Sequence, residues 1–188
     1  MNYQFKCKIC GKCCKVYKII INIVDALKLF DILNVKFNET FILVNKNEIA
    51  GGKEFLYDCF DINNNKYFLA IISDQINGCV FQKQNKCSIQ DIKPSVCYFY
   101  PLNYSYENDS FTVFKHEICS GIFDGEFSEW KNISEKFEEY EKNCEWHNEI
   151  VAFWNKYYGQ KSDYKDFIIF FYESLYPIYL KKKLNKVI

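Results

Sequence analysis

The sequence predicts an α+β fold: a small cysteine-rich domain of short strands and helices over residues 1–125, then a helical hairpin over 126–188 packed on it. Three observations predict this. Nine of the ten cysteines fall before residue 120. The same stretch is cut by Gly, Pro and Asn into short apolar runs that suit strands and short helices. From Trp130 onward, apolar residues recur every three or four positions, the period of a helix. A chain of 188 residues is one domain, or one domain with a helical appendage. With 49% apolar and 19% aromatic residues it can bury a core, which excludes a disordered chain.

Composition also excludes classes of function. Formal net charge is zero and there is no arginine, so neither a phosphate-tracking field nor the bidentate guanidinium fork is present. Nucleic acid is not an expected partner. No apolar run precedes the first cysteines, so no signal peptide is expected. The longest apolar block, Phe167 to Leu180, is interrupted by Glu173, Ser174 and Pro177 and is too short to span a bilayer. The expectation is a cytoplasmic chain with reduced thiols. Ten cysteines in that setting read as metal binding before disulfides.

The elements begin at Cys7-x-x-Cys10-x-x-Cys13-Cys14. A two-residue gap lets a tight turn aim two sulfurs at one point. Cys13 and Cys14 are adjacent, so their Cβ vectors diverge and sharing one ion strains them. Sending one sulfur to each of two centres, or leaving one out, is easier. The stretch must therefore recruit ligands from later in the chain. Lys6, Lys8, Lys12 and Lys15 interleave these cysteines and either offset thiolate charge or are ordinary solvated lysines. Gly11 permits positive φ or close approach to a sulfur.

Val16 to Ile21 reads as a short strand. Asn22 reads as an N-cap with Asp25 three residues on, and the spacing of Ile23, Ala26, Leu27, Phe30 and Leu33 predicts a helix over about 23–34. Asn38-Glu39 caps a second short helix through about Val44. Residues 53–60 and 66–73 form a hairpin around Asn63-Asn64-Asn65, whose side chains tolerate the left-handed region. Cys59 has no partner spacing and reads as a buried residue.

The second cysteine group starts at Gly78-Cys79-Val80-Phe81, continues through Cys87-Ser88-Ile89, and reaches Pro94-Ser95-Val96-Cys97. Pro94 suits the first turn of a helix, and Pro101 ends that helix and forces Tyr100 extended. A strand over about 110–116 precedes Cys119-Ser120-Gly121; His116, three residues before Cys119, reads as a structural residue, with a substitute ligand or a proton carrier as the alternatives. Cys79, Cys87, Cys97 and Cys119 thus join Cys7, Cys10, Cys13 and Cys14 as metal ligands. Four plus four suits two tetrahedral thiolate sites with zinc ions, or one iron–sulfur cluster and one such site. Closing the gap from Cys14 to Cys79 costs only loop entropy, which grows slowly with length.

At this point the chain resembles the YkgJ-type cysteine-cluster proteins, described as zinc- or iron-chelating domains. The resemblance rests on Phe5, Cys7, Cys10, Gly11, Cys13 and Cys14, then on Cys79 with Phe81, Cys87 with Ile89, Pro94, Cys97, Pro101, and Cys119 with Gly121, and covers about residues 5–121. Where that family often has arginine before the proline and after the following cysteine, this chain has Lys93 and Tyr98. Flagellin lysine N-methylases look related through the same region, which implies an iron–sulfur centre and methyl transfer. The chain has no glycine-rich nucleotide loop to go with that activity.

In the tail, Trp130, Ile133, Phe137, Tyr140, Cys144, His147, Val151, Trp154 and Tyr158 make one apolar seam on a helix of about 31 residues, capped by Ser128 and ended by Gly159. A second helix starts after Ser162-Asp163, and Pro177 kinks or ends it. Cys144 and His147 share a helix face and read as core, with an extra metal pair as the alternative. Lys181, Lys182 and Lys183 read as a solvated helix end. The aromatic helices could receive a protein partner. Three functions follow: a metal-binding protein holding an iron–sulfur cluster or zinc, an iron–sulfur enzyme of redox or protein-lysine methyl-transfer type, or a zinc-stabilised interaction module. No Ser/His/Asp set, paired carboxylates or phosphate loop is present, so any chemistry would be the cofactor's.

Overall fold

The computed structural model describes residues 10–49, 57–105, 110–113, 119 and 130–185. The chain divides into two compact units, one of Met1–Ile19 with Ile71–Glu141 and the other of Ile20–Ala70 with Lys142–Ile188. The units are interleaved along the chain, where the sequence reading draws one boundary near residue 125.

The first unit begins with helix α1 (Lys12–Val16), which starts from Gly11 in the left-handed region at φ 68°. The strand expected from Val16 shrinks to β1 (Ile19–Ile20), because Lys12 to Val16 is already helical.

In the second unit, α2 (Ile23–Leu33) starts as expected: Asn22 accepts a hydrogen bond from Asp25 N at 2.8 Å. Asn34, at φ 49°, ends the helix in the left-handed region. Helix α3 is only Phe37–Thr40, and Phe41–Asn45 is strand β2 rather than more helix. Phe41, Ile42 and Val44 favour a pleated surface, and ladder bonds to a neighbouring strand outweigh one more helical turn. The expected hairpin is β3 (Phe60–Ile62) and β4 (Asn65–Ile71), with Phe60 opposite Tyr67. Its two-residue turn, Asn63-Asn64, has both φ angles positive, as a twisted hairpin needs. Strand β4 anchors a four-stranded sheet with β1, β2 and β3.

The first unit resumes with two very short hairpins, β5 (Ser73–Asp74) with β6 (Gly78–Cys79), and β7 (Gln82–Lys83) with β8 (Lys86–Cys87). Helix α4 (Ser95–Phe99) follows Pro94, and Tyr100 before Pro101 is extended. The expected strand near 110 is β10 (Ser110–Val113), paired antiparallel with β9 (Leu102–Ser105). The residues 53–56, His116 and Ser128 named above lie outside the described residues.

Helix α5 (Trp130–Tyr157) has 28 residues and spans about 42 Å. Its C-terminal half hydrogen-bonds the backbone leading into β3. Asn148 accepts from Asp58 N at 2.8 Å, Asn155 accepts from Asp61 N at 2.7 Å, and Trp154 donates to Asp61 O at 2.8 Å. Side chains thereby satisfy an edge that would otherwise invite another strand. Gly159 lies so close to Asp61 that a Cβ there would sit 3.0 Å from its backbone carbonyl.

Helix α6 (Tyr164–Phe170) begins with a capping box between Asp163 and Asp166. A π-helical turn, Phe171–Leu175, leads into α7 (Tyr176–Asn185), so Pro177 does not end the segment. The wider turn accommodates a ring that would clash with the preceding turn and lacks an N–H to donate. The two arms form an antiparallel helical hairpin: Trp154 meets Phe167 and Phe170 at 5.3 and 5.0 Å between ring centres. Further out, Lys182 lies 4.0 Å over Trp146.

The fold is α+β, with short antiparallel strands and a C-terminal helical hairpin. Among the described residues no helix is long and apolar enough to cross a membrane. Burial is uneven. Among the described residues, of the largest side chains with under 2% exposure, including Trp154, Phe37, Phe41, Phe60 and Phe171, all but Ile71 belong to the second unit. In the first unit, Phe81, Ile89, Phe99 and Phe137 keep 6–8% exposure, and Phe99 and Phe137 meet at 5.5 Å.

Candidate metal centre

Helix α1 carries Cys13 and Cys14 and packs on β5 and β6, the hairpin that carries Cys79. Gly11 makes this possible, since its positive φ turns the chain from Cys10 directly into the helix. Cys87 ends β8, and Cys97 lies in α4 behind Pro94. The proline-bracketed mount for Cys97 is as expected.

These sulfurs act on one another. Cys13 Sγ and Cys14 Sγ are 4.0 Å apart. Cys14 bonds Cys79 and feels the charge of Cys87, while Cys79 feels Cys97 and Cys87. The crowding has electrostatic consequences. The bond with Cys14, then burial, pushes the Cys13 thiol well above the ordinary thiol range. The bond from Cys13 pulls Cys14 down, but Cys79, burial and the charge on Cys87 outweigh it and push Cys14 up to about 11. Cys79 is lowered, first by Cys14 and also by Phe81 N, which donates to its sulfur at 3.4 Å. A divalent cation would relieve this mutual repulsion and lower every thiol beside it. The donor set therefore fits a thiophilic ion or cluster.

The 4.0 Å separation also bears on the adjacent pair. With zinc–sulfur bonds of about 2.3 Å, the edge of a thiolate tetrahedron is about 3.8 Å. Adjacency alone therefore does not force Cys13 and Cys14 onto separate centres.

Around Tyr100 a second set gathers. Its ring is 5.7 Å from that of Tyr17. Burial first, then Tyr17, Cys119 and Cys13, raise its hydroxyl beyond the usual phenol range. Cys119 and Cys13 are thus both within electrostatic reach of Tyr100. Cys10 is exposed beside Gly11, and Cys7 lies outside the described residues. Among the described residues no group of three or more His, Cys, Asp or Glu side chains is placed to hold one ion, and no disulfide joins the cysteines. The sulfurs form a neighbourhood rather than a finished coordination sphere.

Lys93 and Tyr98 interact with each other: the Lys93 ammonium is 5.4 Å from the Tyr98 ring centre. Lys136 approaches the same ring at 4.8 Å. Cys59 is buried, as expected.

His147 is core rather than ligand. It is 1% exposed, and Nδ1 accepts from Ile23 N at 2.9 Å. That bond places the proton on Nε2, which donates to Asp58 O at 2.9 Å. Both nitrogens are occupied, so neither offers a lone pair to a metal. Burial lowers its pKa from 6.5 to about 4, so the ring is neutral at ordinary pH.

One residue at the centre has no signature in the sequence. Gln82 lies opposite Cys87 across the β7–β8 ladder. Its carboxamide fills the space beside two positive-φ glycines, Gly11 and Gly78.

A family model described as "CxxCxxCC: Putative zinc- or iron-chelating domain" matches residues 6–145. No curated protein and no solved structure matches the chain.

Proposed function

The chain belongs to the CxxCxxCC family of zinc- or iron-chelating domains, and on that premise we propose that Cys7, Cys10, Cys13, Cys14, Cys79, Cys87, Cys97 and Cys119 together hold zinc or an iron–sulfur cluster. The observation that carries this reading is the Cys13–Cys14 pair on α1, with sulfurs 4.0 Å apart, packed against the β5–β6 hairpin that carries Cys79. Thiolates suit both metals, so the donor set alone does not choose between them.

Among the described residues the apolar core of the first unit is thin, which favours a structural role for the metal. Small, poorly buried domains commonly depend on metal to fold, and ligand sulfurs from distant segments would tie this one together. An iron–sulfur cluster would in addition supply electron transfer or group-transfer chemistry, as the flagellin methylase resemblance suggests. The cysteine-rich segment to residue 125 is the chelating part in this reading. The helical extension from 126 offers exposed Phe153, Tyr157 and Ile178 to a protein partner.

The test is metal analysis of protein purified without oxygen. Stoichiometric zinc in colourless protein supports the structural reading. Iron with acid-labile sulfide and a broad band near roughly 400 nm supports the cluster. Protein that retains no metal and folds fully without it refutes the proposal.

A further inference from the structure

Gln82 is built into the cysteine neighbourhood without any visible use. Both its Nε2 and its Oε1 are buried, and neither has a hydrogen-bond partner. A carboxamide buried that way is costly unless something satisfies it. The surroundings make its placement specific. A Cβ on Gly11 would collide with Gln82 Nε2, and one on Gly78 would collide with Oε1. Gly11 has φ 68° and Gly78 has φ 79°. Two left-handed glycines therefore open the space that this one side chain fills.

Each contact leads to a cysteine. Gly11 follows Cys10 and begins α1 with Cys13 and Cys14. Gly78 precedes Cys79 in β6. Gln82 itself pairs with Cys87, and the turn between them, Gln84-Asn85, has φ angles of 51° and 62°. One side chain thus touches or pairs with three cysteine-bearing segments.

We propose that Gln82 is a positioning residue of the metal centre: its carboxamide, wedged between Gly11 and Gly78, spaces the three cysteine turns and, once metal draws the sulfurs in, donates Nε2–H to a ligand thiolate. The inference rests on the chelating role proposed above. An N–H bond to a thiolate withdraws charge from sulfur and orients it, and the loss of such outer partners commonly costs 10–100-fold in metal affinity.

The experiment uses the full chain and cobalt(II) as probe, with thiolate-to-cobalt absorption as readout. Gln82→Met keeps the length of the side chain and Gln82→Leu its bulk; both delete the donor. Both variants are expected to bind as many cobalt ions as the wild type, about 10-fold or more weakly. Their charge-transfer band is expected at lower energy, because sulfur without the hydrogen bond gives up its electron more easily. Far-UV circular dichroism of the chelated proteins checks that they fold, and whichever variant folds suffices. Unchanged affinity and band in a folded variant overturn the inference. So does weaker binding with an unshifted band, which makes Gln82 packing only. Wild-type protein that binds no cobalt, zinc or iron refutes chelation itself and takes this inference down with it.

Discussion

Replacing His147 by Phe tests how the second unit holds itself together. The ring shape survives, so the edge contacts with Tyr57 at 5.0 Å and Phe60 at 5.3 Å are largely kept. The two hydrogen bonds do not survive. Ile23 N and Asp58 O lose their partner, at about 1–3 kcal/mol for each group left buried, or about 2–6 kcal/mol together. The pH dependence is sharper. The folded-state pKa, about 4, lies below the ordinary 6.5, so the unfolded chain binds more protons between those values. The contribution of His147 is therefore complete above about pH 6.5, declines as pH falls, and is gone below about pH 4. The gap corresponds to roughly 3 kcal/mol. Urea unfolding with tryptophan fluorescence, run with chelator and reductant from pH 7.5 to 4, measures it. The stability difference between wild type and His147→Phe should narrow by roughly 3 kcal/mol over that range, while groups common to both cancel. A difference that stays flat with pH refutes the neutral, doubly bonded ring.

Further outcomes follow from the same structure. Cys97→Ser or Cys7→Ser should lose metal and loosen the first unit, whereas Cys59→Ser should do neither; equal metal content in all three variants refutes the ligand assignment. Removing the metal with a chelator should speed amide exchange in β5 to β8 but leave Phe60–Ile71 protected, and uniform protection in the metal-free protein refutes a structural role. Asp163 accepts from Lys165 N at 2.7 Å and Asp166 N at 3.1 Å, so Asp163→Ala should cost about 1 kcal/mol in the urea assay. Trp154→Ala should cost about 3–5 kcal/mol in that assay, because the ring is fully buried.

The sequence was readable where a signal is local. Asn22 marks the start of α2, Asn63-Asn64 the β3–β4 turn, and Asp163 the start of α6, because each residue stabilises its own neighbourhood. Helix α1 escaped because five residues show no period. The hairpins β5–β6 and β7–β8 escaped because two-residue strands cannot alternate. The partners of His147 are 124 and 89 residues away, so only the fold could decide between core and ligand. Cysteine spacing pointed to the candidate centre, but a glutamine beside a phenylalanine carries no motif. Gln82 is visible only once Gly11 and Gly78 are brought to its side.

The pairing of β1 with β4 reaches beyond the sheet it builds. Ile21 N donates to Leu69 O at 2.9 Å, which fastens together two points that lie between Cys14 and Cys79 in sequence. Once that clasp closes, the tether between those cysteines drops from about 65 residues to about 17, which lowers the entropy cost of bringing the sulfurs together by about 1 kcal/mol. A unit that contributes none of the eight proposed ligands thereby shortens the tether between Cys14 and Cys79. Damage to its core, among side chains that are not proposed ligands, should weaken the grip on metal.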